Sequence, residues 1–189
     1  MNVSNALNVL FKHKFSISTE NIFLKDSIGR RVSKPLTVSK SIPEFDTSSM
    51  DGFAIKKSSL GKIKRFRILG EIPAGSKSGY VIRPYECVRV YTGSRMPKNA
   101  DFVVLQENTT IENDFMRVVT VDKKSPYVRK KGLDFDRGQV INHPMIIDFK
   151  LISALASLNL EKVSVIKKPK VCIIPTGNEV LALGSKARK

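Results

Sequence analysis

The chain has 189 residues, 41% hydrophobic and 26% charged, a globular composition long enough for one mid-sized domain or two small ones. Its longest apolar runs are four residues, as in Phe102–Leu105 and Val171–Ile174, against the ~20 that a membrane-spanning helix needs. Thirty-three Lys and Arg face 17 Asp and Glu, a net charge of +16, which draws anions such as nucleic acid, acidic membrane or phosphate-bearing small molecules unless it is simply a lysine-rich coat.

The N-terminal Met-Asn-Val-Ser-Asn-Ala-Leu lacks the basic region and apolar core of a secretory signal. Two cysteines, Cys87 and Cys172, and only two histidines argue against a disulfide scaffold and a zinc site. The expectation is a soluble cytoplasmic protein with no membrane attachment.

In chain order, a helix is expected over 4–13. Ser4 is its cap, Ala6, Leu7, Leu10 and Phe11 share one face, and Lys12 and Lys14 suit its negative end. A helical turn over Lys25–Ile28 stops at Gly29, and Lys34 to Pro43 reads as an extended connector. From about 46 to 140 the pattern becomes short strands: Ile63–Leu69, Cys87–Tyr91, Asp101–Gln106 and Phe115–Val121. Turn residues separate them at Pro73–Gly75, Thr92–Ser94, Pro97–Asn99 and Glu112–Asp114. That spacing suggests a small antiparallel barrel or sandwich.

A second helix follows, capped by Asp148, with Leu151, Ile152, Leu155 and Ala156 on one face and a left-handed stop at Asn159. Val163 and Val165 alternate with Ser164 as in a strand. Val171–Ile174 then reads as a strand buried on both faces, with a turn at Pro175–Asn178. The residues after Gly177 are too few for a crossover of ~12 residues and a partner strand, so the expectation is that the chain stops inside an α/β domain.

Four segments carry candidate chemistry. Taken alone, Ser48-Ser49-Met50-Asp51-Gly52 is a loop with an Asp-Gly turn, and Thr92-Gly93 ends a strand. Arg129-Lys130-Lys131-Gly132-Leu133-Asp134 is a basic surface loop with a carboxylate. Thr176-Gly177-Asn178-Glu179 follows a parallel-type strand, where open α/β sheets bind ligands.

Together they resemble the molybdopterin molybdenumtransferases, the molybdenum-insertion family that includes the E domain of gephyrin. The resemblance runs through Pro43–Ala54, Gly70-Glu71-Ile72-Pro73-Ala74-Gly75, Val88–Pro97 and Asn99–Glu107 to Pro169–Val180, from about residue 20 to the end. The Met50-Asp51-Gly52 loop and the Thr92-Gly93 to Met96-Pro97 segment are its most specific parts. Tyr85, Tyr127 and Leu133 stand where the family has Gly, Asn and Glu, and Asn178 where it often has Asp.

The resemblance implies insertion of molybdate into adenylylated molybdopterin with release of AMP, aided by Mg²⁺. It implies Asp51, Thr92, Asp134 and Glu179 as catalytic, with Asp51 and Glu179 as metal ligands. Ser49, Met50, Gly52, Gly93, Ser94 and Gly177 would contact the pterin nucleotide. Carboxylates suit a hard, partly hydrated cation, and Thr92 offers a hydroxyl to phosphate oxygens. It also implies a homodimer, and it leaves room for handover of substrate from a molybdopterin adenylyltransferase.

The expected fold class is mixed α+β with an inserted antiparallel β-barrel-like domain and the truncated start of a C-terminal α/β domain. The helix occupies 1–15 and lacks most of its partner surface. A discontinuous elongated dimerisation domain spans 16–45 and 141–168, the β-domain 46–140, and the α/β beginning 169–189. In that arrangement the chain keeps an ordered half-site around Asp51 and Thr92, while Glu179 lacks a supporting strand, so turnover by the chain alone is not expected. Two other classes stay open: a non-catalytic anchoring scaffold like gephyrin, and a basic β-barrel nucleic-acid binder using Lys62, Lys64, Arg65 and Arg67 around Phe66.

Overall fold

The computed structural model describes residues 2–13, 16–77, 79–142, 145–177 and 179–185; Lys14 and Asn178, singled out above, lie outside them. The elements are α1 (Val3–Lys12), β1 (Thr19–Phe23), β2 (Leu36–Thr37), β3 (Thr47–Ser48), β4 (Gly52–Ile55), β5 (Arg65–Ile72) and β6 (Glu86–Val90). There follow β7 (Phe102–Leu105), β8 (Thr109–Glu112), β9 (Phe115–Val118), β10 (Val128–Arg129), β11 (Val140–Ile141), α2 (Phe149–Ser157) and β12 (Lys162–Ile166). The fold is mostly β, with two helices.

Helix α1 starts earlier than expected, because the Asn2 side chain, not Ser4, accepts from Asn5 N–H at 2.8 Å. Asn and Ser cap about equally well, and capping by Asn2 lets the helix begin at Val3. No residue of α1 is buried, and Leu10 and Phe11 are 64% and 80% exposed. A short 3₁₀ turn, Leu24–Asp26, takes the place of the expected turn over 25–28, with Gly29 at φ +74° behind it.

One core joins distant parts of the chain. β1 pairs antiparallel with β12, placing Ile22 opposite Val163, and β2 pairs with β11. Asp148 caps α2 by accepting from Leu151 N–H at 2.8 Å, and Asn159 ends it at φ +59°, as its residue types foretell. Leu151 and Leu155 of α2 are buried with Leu24, Val32, Val38, Ile147, Val163 and Val165.

Residues 52–118 form a six-stranded sheet of order β7-β4-β6-β5-β9-β8 that curls into an open half-barrel. It corrects the expected antiparallel barrel in two ways. The end strands β7 and β8 are not paired with each other, and β5 pairs parallel with β6. The link over residues 73–85 is the reason for the second: a parallel pair needs a crossover of about a dozen residues, where an antiparallel one needs only a tight turn.

Both faces of the sheet are covered. Phe53, Ile55, Phe66, Cys87, Phe102, Val104 and Met116 pack on one face, and Ala54, Ile72, Val88, Val90 and Val103 on the other. Double burial is why Phe102–Leu105 is an unbroken apolar run. Phe66 is 0% exposed, so it is a core residue and not the stacking platform that a nucleic-acid binder would need.

Among the described residues after β12 there is no helix or strand. Val171, Ile173 and Ile174 are 80%, 86% and 78% exposed, so the expected buried strand does not form. Such a strand needs partners for its N–H and C=O groups on both sides, and among the described residues nothing pairs with it.

Candidate functional site

The site begins with a turn that enters β4. Ser48 is buried in β3 and its hydroxyl donates to Met50 O at 2.5 Å, closing a tight turn that leaves Met50 42% exposed and projects Asp51. Gly52 follows, and it has to be glycine. A Cβ there would lie 2.1 Å from the carbonyl oxygen of Val104, so only a bare Cα lets β4 approach β7.

The second loop leaves β6. Gly93 N–H donates to Ser48 O at 2.9 Å, and Ser48 N–H to Ser94 O at 2.9 Å, stitching the two loops together. Gly93 has φ +84°, a left-handed conformation suited to glycine. Ser94 is fully buried. Its hydroxyl donates to Ile72 O at 2.6 Å and accepts from Tyr91 N–H at 2.9 Å. The Ser94 hydroxyl is therefore spent on building the loop.

Asp51 and Thr92 meet where the two loops join. Thr92 N–H donates to Asp51 Oδ1 at 2.7 Å and the Thr92 hydroxyl donates to the same oxygen at 2.9 Å. Those two bonds, the backbone one first, hold the Asp51 carboxyl below its ordinary range, with the Arg89 charge adding to the effect. Among the described residues Oδ2 accepts no hydrogen bond, so one oxygen is fixed and the other is open.

A third segment closes the other side. Ser49 N–H donates to Tyr127 O at 3.0 Å, and β10 pairs with β3 so that Arg129 lies opposite Thr47. Arg129 donates to Asp134 Oδ2 at 2.6 Å. With both partners near half exposed, this ion pair positions more than it stabilises. Tyr127 adopts φ +51°, a region that Asn tolerates best among non-glycine residues. That accounts for the Asn expected there, and Tyr127 offsets the strain by packing against the buried core.

Between these loops lies a cleft of about 400 Å³, walled by Thr47, Ser49, Thr92, Gly93, Arg129 and Asp134. The Arg129 guanidinium and the hydroxyls of Thr47 and Ser49 line it, a donor set suited to phosphate oxygens. Gly177 and Glu179 do not line it; both sit on the exposed segment after β12. Among the described residues no cluster of three or more His, Cys, Asp or Glu could hold a metal.

Arg89 and Tyr91 were not singled out as site residues from the sequence. Arg89 and Tyr91 alternate along one strand face just before Thr92, and that period was the available signal.

The fold and this pair of loops define a family. Residues 1–159 match the family model "MoeA N-terminal region (domain I and II)", and the chain belongs to that family. It is 29% identical over 191 residues to a molybdopterin molybdenumtransferase of Nostoc sp., covering 96% of this chain. It is 30% identical over 186 residues to that of Staphylococcus aureus, covering 95%. A crystal structure of a molybdopterin biosynthesis MoeA protein from Pyrococcus horikoshii superposes with TM-score 0.84 at 26% identity, over 100% of this chain and 50% of that one. The chain spans 44% of the length of the curated relatives it matches. No helix among the described residues is long and apolar enough to cross a membrane.

Proposed function

We propose that this chain carries the nucleotide-binding half of a molybdenum-insertion site, acting on adenylylated molybdopterin and molybdate with release of AMP. The observation that supports the reading most is the convergence of Asp51 and Thr92, remote in sequence, on one shared oxygen beside a cleft of phosphate-binding character. Arg129 and the Thr47 and Ser49 hydroxyls would hold the phosphates, and the +16 chain would concentrate anions around them. Asp134 would orient the Arg129 fork through their ion pair.

Mg²⁺ fits in a limited way. The open Oδ2 of Asp51 offers one hard oxygen, and Mg²⁺ commonly takes one or two carboxylates, substrate phosphates and several waters. When bound, it would neutralise charge on the pyrophosphate oxygens. Asp51 would hold it with a carboxylate that the two Thr92 bonds keep ionised and oriented, and Ser49 and Gly93 would shape the wall beside it.

The unit of 16–45 with 141–168 serves in this reading as an elongated homodimerisation domain, with 46–140 as the ligand-binding domain. Phe149, at the start of α2, is 74% exposed and Ile146 is 67% exposed, giving that domain an apolar surface for a symmetric contact. With Glu179 on an unsupported segment, the 189 residues alone bind substrate without turning it over, since a reacting constellation must be held to within ~0.5 Å. Calorimetric titration of adenylylated molybdopterin with Mg²⁺ tests this. Saturable binding that Asp51→Asn weakens in Mg²⁺ but not in its absence is expected. Equal binding by both forms in Mg²⁺ would remove the proposal.

A further inference from the structure

The arginine-rich start of β5 takes no part in the site around Asp51. β5 pairs antiparallel with β9, Arg65 standing opposite Arg117 and Arg67 opposite Phe115. The pair between them, Phe66 and Met116, points into the core, and both residues are 0% exposed. Alternation therefore puts Arg65, Arg67, Phe115 and Arg117 together on the other face, where all four are exposed. The core packed on that face draws on β4, β5, β6 and β7 and includes no residue of β8 or β9, so this end of the sheet is open on one side.

Two features set this face apart from a lysine coat. The first is composition. Lysines outnumber arginines 22 to 11 in the chain, yet all three cations here are arginine, whose planar fork suits phosphate. The second is arrangement. Opposite residues of an antiparallel pair bring their Cβ atoms to ~4.5–5.5 Å, and like charges placed there destabilise a sheet. Arg65 and Arg117 occupy such a pair, and among the described residues no ion pair involves either of them or Arg67. The nearby carboxylates do not relieve the repulsion. Glu86, opposite Arg67, is buried and accepts from Arg83 N–H at 2.8 Å, and Glu112 stands opposite Phe115, not opposite an arginine. More positive charge adjoins the face: Lys62 and Lys64 lead into β5, and the Lys123 ammonium lies 3.4 Å from where a Cβ on Gly61 would stand.

We propose that this open face binds single-stranded nucleic acid, with Arg65, Arg67 and Arg117 on its phosphates and a base stacked on the Arg65 guanidinium. The geometry of Arg65 carries the second half. Its guanidinium lies over the Phe115 ring, 4.7 Å from the centroid, a cation–π contact that backs one side of the plane. The other side is left for a base and the N–H edge for a phosphate. Phe66, being core, supplies no platform; Phe115 supplies one through the arginine that it orients. Spacing carries the first half. Arg65 and Arg67 are two residues apart on a strand, ~6.6 Å at ~3.3 Å per residue, about the separation of neighbouring phosphates on an extended single strand. A duplex keeps its base faces inside its own stack, and an acidic peptide has no base to stack, so the backed guanidinium selects the single strand. This activity is separate from the cleft at Asp51 and does not depend on the function proposed for it.

The test is fluorescence anisotropy of short labelled oligouridylate and oligothymidylate, titrated with the 189-residue chain over a range of salt. Saturable binding is expected, with log affinity falling against log salt at ~−0.7 per phosphate held on a single strand, so ~−2 or steeper for three. Arg117→Thr should weaken binding several-fold and make the slope shallower by ~0.7. Its Tm should stay level or rise, because the like-charge pair is gone; an arginine kept for the fold alone would instead lower Tm and leave the slope as it was. Arg65→Lys keeps the charge and loses the planar stack, so the slope should hold while affinity falls about tenfold. Unlabelled duplex and poly-glutamate, added at equal charge, should displace the single strand poorly. The tighter of the two oligonucleotides assigns the site to RNA or to DNA. The proposal is overturned by absence of saturable binding, by unchanged affinity and slope in Arg117→Thr, by full affinity in Arg65→Lys, or by ready displacement with either competitor.

Discussion

Gly52→Ala is the sharpest test of how the site is built. The residue has no left-handed φ to lose, so the whole effect of a methyl group is steric. The new Cβ would sit 2.1 Å from Val104 O, about 1.3 Å short of the 3.4 Å at which ordinary contact begins, and 2.9 Å from Val104 C. Its nearest neighbours are all backbone, so no side chain can swing aside; β4 and β7 must separate, breaking the pairing of Gly52 with Leu105. Overpacking of this kind typically costs 1–3 kcal/mol, and the loss of ladder bonds should place Gly52→Ala at the upper end, ~3 kcal/mol. For a chain of this length that lowers Tm by roughly 6–12 °C. Gly75→Ala is the control. Its Cβ meets nothing within 4 Å, but φ is +81°, so only the left-handed penalty of roughly 1–2 kcal/mol applies. Thermal and urea unfolding of both variants, followed by circular dichroism, should rank Gly52→Ala as the more damaging. A Gly52→Ala protein as stable as Gly75→Ala would refute the close approach of β4 to β7 and the placement of Asp51 that depends on it.

Thr92→Val removes the hydroxyl bond to Asp51 and keeps the backbone one, which is the larger cause of the lowered pKa. The Asp51 pKa should rise only part of the way towards the ordinary ~3.9, as read by carboxyl-carbon NMR titration; an unchanged value would show the hydroxyl contact to be absent. Because folding lowers this pKa, the contribution of ionised Asp51 to stability is fully present above about pH 3.9. It fades as pH falls through the lower folded value, and Asp51→Asn should flatten the acid limb of unfolding there. Burial pushes the Cys87 thiol up to about 12, whereas Cys172 is exposed, so a thiol reagent at neutral pH should modify Cys172 rapidly and Cys87 only in denaturant. Rapid native labelling of Cys87 would contradict the packed sheet. Leu155→Ala, at 0% exposure in the core joining β1, β12 and α2, should cost about 2–5 kcal/mol in urea; a loss under 1 kcal/mol would mean the two chain segments do not share that core. Sedimentation at tens of micromolar should find a dimer, and Phe149→Glu should dissociate it; a monomeric unaltered chain would dispose of the symmetric contact.

Local chemistry was legible in the sequence wherever one stretch of chain decides the outcome alone. The Asp148 cap, the apolar stripe of α2 and the left-handed Asn159 are set within one helix. The Asp51-Gly52 and Thr92-Gly93 turns, and the strands around Val88 and Val103, follow equally from short-range residue pattern. The family was legible too, through the order and spacing of its loops. What required the tertiary structure was every decision made between distant segments. That the Thr92 hydroxyl and N–H share Asp51 Oδ1 depends on hydrogen bonds between two loops. That β5 runs parallel to β6 with a register shift between Ile68 and Glu71, and that Phe66 is core instead of surface, depend on sheet register, which no single strand encodes. Val171–Ile174 shows the converse: its residues read as a strand, but a strand is completed only by neighbours that accept its hydrogen bonds, and among the described residues it has none.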